Sequence, residues 1–284
     1  MNSLNKYFYK SLKISLDKRS KYLRGLIVKT LLSSGRGHVG SSMSLVEILR
    51  VLYDHIITFD PKKPKLKNRD RVILSKGHGC LALYAILADK GFFSKKELLS
   101  FCKFNSNLGG HPESFKVKGV ETSTGSLGHG LAIGVGMAIA AKIKNEKHKI
   151  FIVLGDGEIN EGSIWEAALS ASKHKLDNLK VLLDYNKIQS YGFVKDILNI
   201  EPLKKKWSSF GFDVSEINGH NIHQIKKNLN NFFKKKRKKP SITICHTIKG
   251  KGLAFAENNP SWHYRSSLNN NDITIMKKYL NNIG

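Results

Sequence analysis

The segment between residues 150 and 188 constrains the fold of this chain more than any other part of the sequence. An apolar run at 150–154 ends in Gly155-Asp156-Gly157, and a segment of helical character then leads to a second apolar run at 179–183. Strand, turn, helix and strand in this order form a parallel βαβ unit. The pattern predicts an α/β fold with a central, mainly parallel sheet covered by helices on both faces.

Oxygen-bearing side chains follow both predicted strands of this unit. Asp156 follows the first strand, and Asn186 follows the second, 30 positions later. In open α/β sheets ligands bind at this edge, and a carboxylate and an amide there can share one hard cation. Gly155 and Gly157 would let a phosphate approach the backbone, and we expect the N-terminus of the following helix to favour its charge. GDG alone is equally compatible with an ordinary Rossmann-like crossover.

Short glycine-rich motifs, most of them carrying a histidine, recur along the chain. They are GRGH at 35–38, SKGH at 75–78, GHPE at 110–113, TGSLGHG at 124–130, KGKG at 249–252 and SWH at 261–263. Each is weak alone, since His38 could be a solvated turn residue and His78 a helix cap. Taken in order with GDG and the DYNKI segment at 184–188, the set resembles the transketolase family over most of the chain. The resemblance implies a three-layer thiamine-diphosphate-binding fold.

The resemblance also implies roles for individual residues. Catalytic roles are implied for His38, His111, His263 and Glu161, with Glu161 at a subunit contact. Cofactor binding is implied for Ser41, His78, Gly125, Ser126, Leu127, Asp156, Gly157, Asn186, Lys249 and His263. Metal coordination is implied for Asp156, Asn186 and the backbone carbonyl of Ile188. The implied cofactors are thiamine diphosphate and Mg²⁺, with Ca²⁺ or Mn²⁺ as substitutes, and we expect the catalytic histidines to have pKa values near neutral.

Some positions depart from the family pattern. Val39 replaces a proline that usually follows the first histidine, and Arg36 precedes that histidine. His129 replaces a glutamine in the TGSLGHG motif. We expect the first two changes to alter the shape of the substrate loop, whereas the third need not alter contacts made by the backbone.

The resemblance covers only the N-terminal half of a full transketolase. We expect one diphosphate-binding domain over residues 1–284, with 1–33 as leading helices and 265–284 as a C-terminal helical tail. Nothing resembling the family's pyrimidine-binding domain follows, and that domain carries the glutamate that activates the cofactor. The resemblance therefore implies a separate pyrimidine-domain subunit, in an α2β2 complex that transfers a two-carbon ketol unit from a ketose or ketose phosphate to an aldose.

Two other functions stay open at this point. One is a subunit of another two-chain thiamine-dependent enzyme, similar to deoxyxylulose-phosphate synthase or a keto-acid E1 component, although GHPE and SWH argue against it. The other is a basic nucleic-acid-binding protein, because 48 Lys and Arg against 22 Asp and Glu give a net charge of +26. The lysines are spread along the chain, and the one dense run, 234–239, is predicted to be a solvated loop. We therefore expect no nucleic-acid partner.

Cysteine content and hydropathy suggest a compartment. Three cysteines without CxxC spacing, Cys80, Cys102 and Cys245, indicate neither a disulfide framework nor a zinc site. The N-terminus lacks the apolar core of a signal peptide, and the longest apolar stretch, 131–141, is too short to span a bilayer. We expect a cytoplasmic protein without membrane segments.

The remaining pattern predicts further elements. Residues 4–32 read as one or two helices, 45–55 and 80–90 as helices, and 71–74, 212–217 and 242–247 as strands. Ser41, Ser42 and Ser44 are predicted to cap the helix that follows the GRGH loop.

Overall fold

The computed structural model describes residues 3–190, 192–234 and 238–283. Its strands are β1 Arg71–Leu74, β2 Ile150–Gly155, β3 Leu179–Tyr185, β4 Ile188–Gln189, β5 Gly192–Phe193, β6 Asp213–Asn218 and β7 Ser241–His246. Five of them form a parallel sheet in the order β1-β2-β3-β7-β6, and β4 pairs with β5 in a short antiparallel ladder. The prediction of an α/β fold with a mainly parallel sheet is confirmed.

Helices connect these strands. They are α1 Ser3–Lys13, α2 Lys18–Ser34, α3 Val39–Ser44, α4 Val46–Val51, α5 Cys80–Asp89, α6 His129–Ile143, α7 Gly162–Lys173, α8 Val194–Ile197, α9 Leu203–Ser209, α10 Ile222–Lys234 and α11 Asn270–Ile283. The strands predicted from the opening segment and from residues 71–74, 212–217 and 242–247 lie within two residues of the observed ones. Division of the chain at residues 33 and 265 stays a prediction, with α2 ending at Ser34 and α11 beginning at Asn270.

The sheet has an apolar layer on each face, which explains why its strands are continuous apolar runs. In β2, Phe151 and Val153 pack into a cluster with α2, α4, α5 and α10. Ile150, Ile152 and Leu154 point to the other face and pack with α6, α7 and α9. Helix, sheet and helix layers therefore enclose the strands, as the three-layer fold requires.

Three local predictions about helix starts were wrong. Helix α3 begins at Val39, so the serines predicted to cap it lie inside it. Ser42 Oγ instead donates to the His38 carbonyl at 2.8 Å, and Ser44 Oγ donates to Asp184 Oδ2 at 2.6 Å. The predicted helix at 45–55 is α4 followed by a π-helical turn at Leu52–Ile56. A 3₁₀ turn at Glu158–Asn160 separates Gly157 from α7, so the helix N-terminus does not directly follow GDG.

Two further expectations concern the surface. The basic run at 234–239 includes residues 235–237, which lie outside the described residues. No helix within the described ranges combines the length and the apolar character needed to cross a bilayer. Cys80, Cys102 and Cys245 are free thiols, as their spacing predicted.

Candidate active site

The C-terminal ends of four parallel strands bring the predicted site residues to one edge of the sheet. Gly155 at the end of β2 is in register with Asp184 in β3, and Asp184 is in register with Cys245 in β7. The residues that follow these positions line a cavity of about 260 Å³. The predicted residues in its lining are His38, Ser41, His78, His111, Gly125, Leu127, Asp156, Gly157, Asn186, Ile188, Lys249 and His263. Residues from six separate motifs thus meet in one cavity.

Histidines form one wall of this cavity. The His38 ring lies at the centre of the cluster, with ring centroids 5.4 Å from His78, 5.8 Å from His111 and 5.3 Å from His263. Tyr264, which the sequence did not single out, packs against His38 at 4.6 Å. Backbone hydrogen bonds between Gly37 and Arg265, at 2.9 and 3.0 Å, hold the two loops together.

The histidine wall is electrically neutral at pH 7. Burial, together with the neighbouring His111, Lys249 and Lys76, lowers the pKa of His38 to about 4. Burial and nearby Lys249 lower the pKa of His263 to about 3, and burial lowers the pKa of His78 and His111 as well. The expectation of near-neutral pKa values was therefore wrong, because removal from water disfavours the imidazolium form. Neutral imidazoles can accept a proton from a substrate hydroxyl.

Asp156 supplies the buried negative charge of the opposite wall. Its Oδ1 accepts from the Gly157 amide at 2.8 Å and its Oδ2 from the Lys187 amide at 2.6 Å. Burial raises the pKa of Asp156, and the nearby Asp184 adds to this effect against the charges of Lys76 and Lys249. A raised pKa in a carboxylate facing a cavity means that a bound cation would stabilise the charged form.

Asn186 is oriented by the fully buried Asp184. Asn186 Nδ2 lies 3.4 Å from Asp184 Oδ2, and Asn186 Oδ1 accepts from the Ile188 amide at 3.1 Å. Asp184 also accepts from Lys76 Nζ at 2.6 Å, and from Thr247 Oγ1. Although burial raises it, the Lys76 charge and these hydrogen bonds together lower the pKa of Asp184. The amide therefore has one preferred rotamer, which leaves its oxygen beside the backbone of Ile188.

Glycine at position 125 allows the backbone to approach His111 closely. Gly125 has a φ of +143°, and a Cβ atom there would lie 3.0 Å from His111 Cγ. A side chain at this position would be strained and would push the imidazole aside. The predicted close backbone approach in the TGSLGHG motif is thus a contact with His111 at the cavity wall.

Two predicted site residues lie outside the cavity lining. Ser126 is exposed between Gly125 and Leu127, which do line the cavity. Glu161 is exposed at the start of α7. Their predicted roles stay predictions.

The structure adds lining residues that the sequence did not suggest. They are Lys76, Gly155, Glu158, Gln189 and Ser190. Gln189 Oε1 accepts from Asn160 Nδ2 at 2.7 Å, while its buried Nε2 has no hydrogen-bond partner in the described part of the chain. Lys76 and Glu158 each sit within or directly after a recognised motif, SKGH and GDG, and that adjacency was the available signal.

The donor set fits an oxygen-ligated cation with an attached anion. One carboxylate, one amide oxygen and one backbone carbonyl line the cavity, and these are ligands that Mg²⁺ takes together with phosphate oxygens. Within the described ranges, no group of three or more His, Cys, Asp or Glu side chains could hold a metal ion. Lys249, Lys76, the histidines and the unpaired Gln189 amide could hold a diphosphate. The fold and this cavity define a diphosphate-binding α/β protein.

Known proteins share this fold and these motifs. Residues 16–282 match the family model described as transketolase, thiamine diphosphate binding domain. One of the two subunits of the apulose-4-phosphate transketolase of Actinobacillus succinogenes is 44% identical over 251 residues, which cover 88% of this chain and 90% of that relative. A 6-deoxy-6-sulfo-D-fructose transketolase subunit of a Clostridium species is 40% identical, with coverage of 88% and 90%. The crystal structure of Campylobacter jejuni transketolase has a TM-score of 0.85 at 35% identity, over 93% of this chain and 42% of that one.

The chain belongs to the transketolase thiamine-diphosphate-binding-domain family. It spans about two fifths of the length of the full-length Campylobacter jejuni enzyme and is the N-terminal, thiamine-diphosphate-binding part of a transketolase-type transferase. The predicted family and fold are confirmed. These relatives are transketolases, which favours that hypothesis over the other two-chain thiamine-dependent enzymes.

Proposed function

We propose that this chain is the diphosphate-binding subunit of a two-chain transketolase. It would transfer a two-carbon ketol unit from a ketose donor to an aldose acceptor only after a separate pyrimidine-domain subunit has completed the site. The observation that carries the proposal is the single cavity in which the histidine wall faces Asp156, Asn186 and Ile188.

The relatives support a separate partner subunit. The chain is similar to proteins named as transketolase subunits over nine tenths of their length, but to only 42% of a full-length enzyme. We propose two copies of each subunit, with Glu161 at the contact between subunits, where its exposure at the start of α7 would allow it to reach another chain. The three free thiols fit a reducing cytoplasm.

In this proposal the acidic wall holds Mg²⁺. Asp156 would provide a carboxylate oxygen, Asn186 its amide oxygen and Ile188 its backbone carbonyl. A hard cation of this kind would offset the buried charge of Asp156, whose pKa is raised by burial. Ca²⁺ or Mn²⁺ would be accepted by the same oxygens.

The diphosphate would lie between the cation and the basic side chains. Lys249, His78 and His263 would donate to its oxygens, while Ser41, Gly157 and the backbone at 125–127 would approach it closely. When bound, thiamine diphosphate supplies a stabilised carbanion as the nucleophile. The neutral histidines His38, His111 and His263 would then exchange protons with substrate hydroxyls, since their lowered pKa values leave them able to accept a proton.

The relatives also indicate the first substrates to assay. Two of them are named for apulose 4-phosphate and 6-deoxy-6-sulfo-D-fructose, which are sugars with an anionic end. A phosphorylated or sulfonated ketose is therefore the donor class that we propose for this chain.

Reconstitution tests the proposal. The chain would be purified by itself and together with a transketolase pyrimidine-domain protein, and ketol transfer from xylulose 5-phosphate would be measured with thiamine diphosphate and Mg²⁺. We expect activity only from the pair. Full transfer by the chain alone would contradict the two-chain proposal, and a pair that uses pyruvate instead of a ketose would favour the deoxyxylulose-phosphate-synthase or keto-acid alternative.

A further inference from the structure

A single buried carboxylate joins three loops below the cavity. Glu158 is 1% exposed in the 3₁₀ turn that follows GDG. Its Oε1 accepts from Ser75 Oγ at 2.5 Å and from the Gly128 amide at 3.1 Å, and its Oε2 accepts from the Gly155 amide at 3.0 Å. The proposed chemistry of the cavity gives this side chain no role.

Each of the three donors belongs to a different loop of the proposed cofactor site. Ser75 begins the SKGH turn that carries His78, and Gly155 is the residue before Asp156. Gly128 ends the backbone stretch 125–127. These loops are as far as 83 positions from Glu158 in sequence, so no local interaction fixes their separation.

The Gly128 peptide is held from two sides. Its amide donates to Glu158, and its carbonyl accepts from Ser163 Oγ at 3.0 Å. Gly128 has a φ of +83°, and a Cβ atom there would lie 2.5 Å from Ser163 Oγ and 2.7 Å from Glu161 Cβ. The stretch before it therefore has little freedom to move while the carboxylate is in place.

We propose that Glu158 is a positioning residue for thiamine diphosphate, which fixes the three loops relative to one another before the cofactor binds. This role rests on the proposed function of the cavity. A glutamine has the same shape, but it has one acceptor oxygen and places an NH₂ group against a donor. Glu158→Gln must therefore break at least one of the three links, because a donor facing a donor leaves a buried polar group unsatisfied.

Aspartate 70 provides a matched control on the same two strands. Asp70 is also buried and accepts from two backbone amides, those of Thr58 at 2.9 Å and Lys149 at 2.7 Å. It precedes β1 at the opposite end of the sheet and does not line the cavity. Asp70→Asn should therefore reduce stability without changing the cofactor site.

The experiment measures the Kd for thiamine diphosphate with Mg²⁺ by calorimetry on the assembled pair of subunits, together with the melting temperature. We expect Glu158→Gln to raise this Kd at least tenfold, and saturating cofactor to restore kcat to within about threefold. In the chain without cofactor, hydrogen exchange at the Gly128 and Gly155 amides should become faster. Asp70→Asn should lower the melting temperature and leave the Kd unchanged.

Other outcomes are decisive as well. If Glu158→Gln does not fold, Ser75→Ala, which removes one donor only, should raise the Kd in the same direction. A wild-type Kd in the variant that folds, or an equal rise in Asp70→Asn, would overturn the positioning role. If the unaltered pair binds no thiamine diphosphate while Glu158→Gln still exchanges its loop amides faster, the proposed function fails and not the link between the loops.

Discussion

Lys249 Nζ donates a hydrogen bond of 2.9 Å to the carbonyl oxygen of Ile188. The same ammonium group lies 2.8 Å from His263 Nδ1. It therefore joins the carbonyl proposed as a metal ligand to the histidine proposed for the diphosphate. Burial lowers the pKa of Lys249 to about 7, with Lys76 adding to the effect and Asp156 opposing it. A bound anion would raise this pKa and fix the positive charge.

Replacement of Lys249 should weaken binding of thiamine diphosphate. Lys249→Gln removes a charged donor beside the proposed anion, which is worth about 1.5–3 kcal/mol. We expect the Kd of the assembled pair at pH 7 to rise roughly 10- to 150-fold in calorimetric titration. Lys251 is a buried control two residues away, whose Nζ donates to the Leu12 carbonyl at 2.8 Å. Lys251→Gln should lower the melting temperature and keep the wild-type Kd. An unchanged Kd in Lys249→Gln would argue against its contact with the diphosphate.

The buried histidines predict how stability depends on pH. Burial holds the pKa of His38 at about 4 and that of His263 at about 3 in the folded chain, against about 6.5 when unfolded. Between pH 4 and 6.5 the unfolded chain therefore binds more protons, and the free energy of unfolding rises as pH rises through this window. We expect a loss on the order of 2 kcal/mol from pH 6.5 to 4.5.

Urea unfolding of the isolated chain at several pH values measures this dependence. His38→Asn should make the slope shallower, since one of the contributing groups is removed. The assembled pair with bound Mg²⁺ and thiamine diphosphate should show a weaker dependence, because the anion stabilises imidazolium forms. Stability that stays constant or increases as pH falls would contradict the neutral, buried state of these rings.

The sequence predicted the strands well because each is buried on both faces. A strand such as 150–155 must be apolar throughout, and a polar residue just past its end must lie at the sheet edge. The same reasoning placed Asp156 and Asn186 at one cavity before any distance was known. The histidine loops needed the family resemblance, since nothing in their local pattern shows that they meet.

Contacts between distant segments were beyond sequence reasoning. Ser44 was expected to cap a helix, but its hydroxyl bonds to Asp184, 140 positions away. Glu158 was passed over because its three donors come from separate loops, and Tyr264 because its contact with His38 depends on the pairing of Gly37 with Arg265. Such residues are set by tertiary packing, which a single sequence does not display.

Glycine 125 should be intolerant of a side chain. Gly125→Ala places a Cβ atom against His111 at a φ of +143°, so either the ring or the loop must move. We expect a loss of about 1–2 kcal/mol in stability and at least a tenfold fall in kcat/KM of the assembled enzyme.

Gly136 in α6 is the matched position for comparison. A Cβ atom there meets nothing within 4 Å, and the residue lies inside a helix. Gly136→Ala should therefore raise the free energy of unfolding of the isolated chain by up to about 1 kcal/mol. If Gly125→Ala proved as harmless as this control, the close approach to His111 would not be needed for the site.

The proposed function depends above all on a metal-bound diphosphate at the ends of β2 and β3. The most direct test is calorimetric titration of thiamine diphosphate into the assembled pair, with and without Mg²⁺, for the unaltered chain, Asp156→Ala and, as a surface control, Asp177→Ala. We expect Mg²⁺-dependent binding that Asp177→Ala preserves and that Asp156→Ala weakens at least a hundredfold, about 2.7 kcal/mol. Binding that needs no divalent cation, or that Asp156→Ala leaves unchanged, would contradict the proposed site.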